Sequence, residues 1–136
     1  MPNAPTEVNA ESYKDNGDGT VTDNVTGLIW QQAPTTTQYI WSAAVTHCPQ
    51  LSLGGHSDDW RLPTLIELVS LLDFSVSTAS GSPTVNATAF PAMPAGLYWS
   101  ATAVSDLNNF AWEVNFNNGV INADATIGSD LVICVR

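Results

Sequence analysis

Trp112-Glu113-Val114-Asn115-Phe116-Asn117 alternates apolar and polar residues without a break, and Asn118-Gly119 follows directly. Strict alternation marks a strand with two unlike faces. Asn-Gly is the pair best suited to the positive φ angles of a two-residue hairpin turn. With that turn, Asn117 pairs with Val120, Phe116 with Ile121, Asn115 with Asn122, Val114 with Ala123, Glu113 with Asp124 and Trp112 with Ala125. Trp112, Val114, Phe116, Ile121, Ala123 and Ala125 then share an apolar face. Glu113, Asn115, Asn117, Val120, Asn122 and Asp124 share the other. Glu113 would face Asp124 across the strands, and like charges so placed destabilise a pair. Solvent between them is the simplest relief. Arg61, Lys14 or a cation supplied by a partner are the others.

The same reading extends along the chain. Met1 to Ala10 is polar and aperiodic, and is expected to be a loose tail before a single domain, 11–136. Ser12-Tyr13-Lys14 predicts a strand, Asn16-Gly17-Asp18-Gly19 a turn, Thr20-Val21-Thr22 a second strand and Gly27 to Trp30 a third. Thr37 is a suitable N-cap for a first helix. Ile40, Trp41, Ala44, Val45 and Cys48 recur at helical spacing and are expected on one buried face, with Pro49 ending the helix. Thr64-x-x-Glu67 is a capping box opening a second helix. Leu65, Leu68, Val69 and Leu72 form its apolar face, Pro63 precedes its cap, and Trp60 is a core residue. Arg61 is expected in a structural ion pair with Asp58, Asp59 or Asp73. Phe74 to Leu97 has no period and is long for a connection inside one domain. Leu131 to Val135 predicts the last strand.

Composition excludes several functions. Three basic residues face thirteen acidic ones, a net charge of −10. Binding nucleic acid needs clustered Lys or Arg, which this chain lacks, and sulfated polymers and anionic lipid are disfavoured on the same ground. No run approaches the ~20 apolar residues of a membrane span. No export signal is visible in Met1 to Ala10. The chain therefore reads as a mature fragment, an excised domain or a protein exported by another route, such as on a virus particle.

No catalytic or metal constellation stands out, so no enzyme activity, cofactor or metal is expected. His47 and Cys48 are adjacent, which on a helix sets them about 100° apart, poorly placed for a thiolate and its base. His56 sits in a glycine loop and is expected to be exposed. No Gly-x-Ser-x-Gly elbow and no phosphate loop with Lys appear. Asp15 to Gly19 looks like a calcium loop, but Lys14 would occupy the first ligand position and no Glu closes it. A hairpin turn is the better reading. Cys48 and Cys134 have no zinc-type spacing. Two buried thiols or a disulfide are both open on the residues alone.

Four strings in order, Asp15 to Trp30 (DNGDGTVTDNVTGLIW), Asp58 to Leu68 (DDWRLPTLIEL), Tyr98 to Thr102 (YWSAT) and Val132 to Arg136 (VICVR), resemble the bacterial Lcl C-terminal domain family. The resemblance covers about Tyr13 to Arg136. It implies an α+β, C-type-lectin-like fold, with two helices packed on antiparallel sheets and a long loop region for which Phe74 to Leu97 is the match. It implies a disulfide from the first helix (Cys48) to the last strand (Cys134), and hence an oxidising compartment. It also implies an extracellular binding module. The fold is shared with formylglycine-generating enzymes, but fold kinship does not carry an activity. The sugar-binding tripeptides of calcium-dependent lectins are absent. Family members often end in Arg-Cys-Val-Arg; here Ile133 replaces the first Arg.

Six of the fifteen residues from Asn108 to Asn122 are Asn, a poor strand former. Some family members resemble variable proteins of diversity-generating retroelements, in which Asn codons near the C-terminus are mutagenised, and Ser105 to Ile133 resembles such a region. On that reading the expected contact residues are Asp106, Leu107, Asn108, Phe110, Glu113, Asn115, Asn117, Val120, Asn122, Asp124, Ile127 and Asp130. The expected partner is a protein or glycan receptor on another cell, met by a non-enzymatic domain on a cell or virion surface. The alternatives are a polysaccharide-binding adhesin and a structural module of a larger assembly, and a homo-oligomer is compatible with any of them.

Overall fold

The computed structural model describes residues 12–75 and 83–136. The expected tail, Met1 to Ala10, lies outside them. Three small antiparallel sheets and two short helices make an α+β fold. β1 (Tyr13–Asp15), β2 (Thr20–Asp23) and β3 (Ile29–Gln31) form the first sheet, with Lys14 opposite Thr22 and Val21 opposite Trp30. The β1–β2 turn is held by its own acids. Asp15 accepts from the Gly17 amide at 2.9 Å and Asp18 from the Thr20 amide at 3.1 Å. Gly17 and Gly19 have φ of 77° and 89°, which side chains tolerate poorly. The hairpin reading of this segment stands.

β4 (Tyr39–Ile40) pairs with β8 (Ser129–Asp130), and this pairing displaces the expected helix start. α1 runs Trp41–His47, four residues past Thr37. Ile40 stands in the N-cap position with extended backbone and no side-chain cap. Ile40 and Val45 are exposed rather than on the buried face. Ile40 lies before the helix, and Val45 points about 100° from its neighbour Ala44. Ala44 and Cys48 carry the burial, and Pro49 sits in a 3-10 turn, Cys48–Gln50, that ends the segment.

α2 (Leu65–Val69) opens on the expected capping box, Thr64 accepting from the Glu67 amide and Glu67 from the Thr64 amide. Trp60 and Leu68 are buried. Arg61 differs from expectation in its partner. It makes a two-pronged bond to Glu67 at 2.6 and 2.7 Å, because the capping geometry turns that carboxylate back toward Arg61. His56 is half-buried and meets Asp59 at 2.9 Å, and Asp59 also holds Arg136. In the long loop, residues 83–96 form no strand or helix, yet Thr84, Val85, Phe90 and Met93 are buried.

β5 (Leu97–Ala103), β6 (Phe110–Asn115) and β7 (Val120–Ala125) form the third sheet in that order. The hairpin register is two residues from the expected one. Asn115 pairs with Val120, Val114 with Ile121, Glu113 with Asn122, Trp112 with Ala123, Ala111 with Asp124 and Phe110 with Ala125. Phe116 explains the shift. Its amide donates to Gly96 and its carbonyl accepts from Thr84, at 2.7 Å each, so it leaves the ladder and the loop grows to four residues. A shift of two preserves which residues share a face.

The C-terminal segment is the centre of the molecule. Leu131 to Val135 is buried throughout. It is a chain of single bridges rather than the expected strand, to Tyr98 at Leu131 and to Trp30 and Arg61 at Val135. The segment changes neighbour along its length, so no one ladder persists. Its side chains alternate between two cores. Leu131, Ile133 and Val135 join Trp30, Leu68, Tyr98, Val114 and Phe116. Val132 and Cys134 join Trp60, Leu62, Trp99, Ala111 and Cys48. Ile133, the departure from the family ending, is therefore a fully buried core residue. Cys48 and Cys134 form a disulfide, their Cα atoms 5.5 Å apart, closing 86 residues of sequence.

Candidate functional site

β6 is the middle strand, with a core on each side. Val114 and Phe116 enter the first, and Ala111 enters the second. β7 is the edge. Val120, Ile121, Asn122 and Ala123 are all exposed although they alternate in direction, because among the described residues β7 is the end strand of its sheet. The expected sharing of faces holds, but the division into a buried apolar side and an open polar side fails for both strands: Glu113 on β6 is buried against the second core, and β7 is open on both sides. Ile121 and Ala123, expected to be inner residues, lie on the surface.

The expected contact residues fall into three groups. Asp106, Leu107 and Asn108 are exposed in the β5–β6 turn, and Phe110 is half-buried beside them. Ile127, 83 % exposed, stands in the β7–β8 loop. A bond from the Thr126 amide to the Asn109 carbonyl, 2.8 Å, joins these two loops at one end of the hairpin. Asn117 and Val120 are exposed at the other end, with Asn122 between. At about 3.3 Å per residue the ends of β6 are separated by roughly 17 Å. The residues thus form a strip along an edge rather than one compact patch.

Four of the expected residues, Asn115, Glu113, Asp124 and Asp130, have other duties. Asn115 is half-buried and accepts from the Asn117 amide at 2.9 Å, shaping the loop. Glu113 and Asp130 are buried, 4 % and 2 % exposed, and are withdrawn from a contact surface. Glu113 faces the second core because it lies directly opposite the buried Trp99 on β5. Solvent does not separate it from Asp124, as the simplest expectation had it. Carboxylate oxygens of Glu113, Asp124 and Asp130 all lie within 4.8 Å of one another. One oxygen each of Glu113 and Asp130 is buried without a hydrogen-bond partner. Burial first, then the neighbouring Asp130 and Asp124, push Glu113 up to about 9. Burial also raises Asp130. Sequence reasoning had linked Glu113 to Asp124, but Asp130 lies outside the hairpin, and only tertiary packing brings it in.

Other elements weigh little toward chemistry. Cys48 is consumed in the disulfide, and His47 stacks on Tyr39 with ring centres 4.7 Å apart. A hollow of about 120 Å³ beside β1 is lined by Tyr13, Asp15, Asn86, Thr88 and Ala89. That is small against the ~300 Å³ and more of ordinary small-molecule pockets. Among the described residues no helix is long and apolar enough to cross a membrane.

The fold and its strip thus define a small α+β domain, tied by one disulfide, with an edge hairpin carried on a double core. A disulfide fits an extracellular or secreted setting. Residues 19–136 match the model of the Lcl C-terminal domain, and the chain belongs to that family. A search of curated proteins returned no match.

Proposed function

We propose that this domain is a non-enzymatic ligand-binding module, displayed on a cell or virus surface, that meets a protein or glycan receptor along β7 and its flanking loops. One observation carries the reading: Val120, Ile121, Asn122 and Ala123 are exposed in succession while the β6 residues Glu113 and Val114, opposite two of them, are buried. A strand so placed contributes little to the core and is held rigidly by its neighbour. Rigid presentation limits the ordering entropy lost on binding. Val120, Ile121, Leu107 and Ile127 supply apolar anchors, and Asn108, Asn117 and Asn122 supply adaptable polar contacts. Among the described residues no strand pairs with the outer edge of β7, which also suits an added strand from a partner.

The mixed chemistry of this strip fits a surface whose side chains can change while the fold stays. That supports a diversified variable region, with Asn115 excepted for its part in the loop. The net charge of −10 favours a neutral glycan or a protein over a sulfated polymer.

The test is binding of the purified domain to a glycan array and to intact cells, in low and high salt. Salt-insensitive binding, lost in a Val120→Asp/Asn122→Ala double variant that melts like the parent, supports the reading. Binding untouched by those substitutions and by Ile127→Asp overturns it.

A further inference from the structure

We propose that Glu113, Asp124 and Asp130 form a binding site for a single divalent, oxygen-preferring cation, calcium above all. The three carboxylates come from β6, β7 and β8 and converge on one point, their oxygens all within 4.8 Å of one another. Calcium binds oxygen at about 2.3–2.6 Å, so two oxygens on one ion lie at most about 5 Å apart. Magnesium demands near-ideal octahedral geometry and gives up its waters reluctantly, which suits a buried site of three carboxylates less well. Carboxylates without thiolate or imidazole select such hard cations over zinc or copper.

The second observation is what the site lacks. Oε1 of Glu113 and Oδ2 of Asp130 are buried in side chains only 4 % and 2 % exposed, and with both acids ionised neither has a hydrogen-bond donor beside it. Burying such atoms unpaired is strongly unfavourable. The chain holds three basic side chains. Arg61 is committed to Glu67, Arg136 to Asp59, and Lys14 stands exposed on β1 in another sheet. Charge balance at this point must come from a proton or from an added ion.

Among the described residues, the surroundings of Glu113 and Asp130 supply no cationic side chain in contact with either carboxylate. Across β5, Glu113 meets Trp99, which does not titrate. Tyr39 of β4 is opposite Asp130, and His47 of α1 stacks on Tyr39. The charges that act on Glu113 are those of Asp130 and Asp124. Asp124 is the half-buried member and gives the ion its way in. Its Oδ1 already accepts from the Ala125 amide at 2.8 Å, so the side chain is set before the ion arrives. Asp124 and Asp130 bracket the loop that carries Ile127, and an ion between them would pin that loop to β6. None of this depends on whether β7 meets a receptor.

Titrating the full chain, stripped of metal, with calcium and separately with magnesium tests this by calorimetry in two buffers of different ionisation enthalpy. One calcium per chain is expected. Magnesium should bind at least tenfold more weakly. Glu113→Gln, close in shape to the protonated acid, should fold and melt like the ion-free parent and lose calcium binding. Absence of any heat or melting shift at millimolar calcium at pH 7 overturns the proposal. So does calcium binding that survives in both Glu113→Gln and Asp130→Asn.

Discussion

The side-chain carbonyl of Asn115 accepts a hydrogen bond from the backbone N–H of Asn117 at 2.9 Å. Two asparagines that look equivalent in sequence therefore differ in kind: one builds the β6–β7 loop, the other stands on it. Asn118 also builds, accepting from the Val120 amide at 3.0 Å. Asn115→Ala is expected to destabilise the domain by about 1 kcal/mol, the usual worth of one such bond. Asn117→Ala and Asn122→Ala should stay within about 0.5 kcal/mol of the parent, as ordinary surface changes do. Urea unfolding of the three variants decides this, and equal losses for all three would contradict it.

The bridge from Cys48 to Cys134 fastens α1 to the buried C-terminal segment between the two cores. Closing a loop of 86 residues constrains the unfolded chain by about 4–5 kcal/mol in the chain-entropy model. Cys48→Ser/Cys134→Ser, or the parent in reductant, is expected to lose stability of that order in denaturant titration. A loss below about 1 kcal/mol would show that the cores hold α1 without it.

Arg61 and Glu67 combine an ion pair with a helix cap. The pairing lowers the Glu67 carboxyl, with the Arg61 hydrogen bonds as the leading influence, and Arg61 itself is raised by the same bonds. Both side chains are partly open to water, which screens the charge term. Glu67→Gln keeps the cap and loses the charge, and should lose about 0.5 kcal/mol. Glu67→Ala loses both and should lose about 1–2 kcal/mol. Thermal melts of the two variants should differ in that order.

The pH dependence should run against the usual direction. Glu113 is raised to about 9 from an ordinary 4.5. Between those values the folded chain holds a proton that the unfolded chain has lost, so stability falls as pH rises through that window. Asp130, also raised, acts in the same sense. Glu67 and Asp59 are lowered, and their contributions persist above the ordinary carboxyl range and fade only below about pH 4. In metal-free buffer the denaturant midpoint should be higher at pH 5 than at pH 8, and Glu113→Gln should flatten the difference. A midpoint that climbs steadily from pH 5 to 8 would contradict the burial of that acid.

Local chemistry made much of this legible in the sequence. The Thr64–Glu67 box, the Asp15 to Gly19 turn and the apolar face around Leu68 depend on residues a few positions apart, and each stands where its pattern placed it. Expectations failed where a distant partner intervened. Ser129–Asp130 drew Tyr39–Ile40 into a strand and moved the start of α1. Gly96 and Thr84 captured Phe116 and moved the hairpin register. The parity of β6 was readable, but the exposure of Ile121 was not, since alternation does not say whether a strand is central or at an edge. The cluster at Glu113 escaped for the same reason, its third member arriving from β8.

The central claim is that a disulfide-tied double core carries β7 and its loops without needing their side chains. The direct measurement is the fraction of a displayed library that stays protease-resistant when Leu107, Asn117, Val120, Asn122 and Ile127 are randomised together. Most members should remain folded, and an equal library at Trp99, Ala111, Val114, Val132 and Ile133 should collapse. Equal collapse of both would show that the strip is part of the scaffold, and would contradict the account.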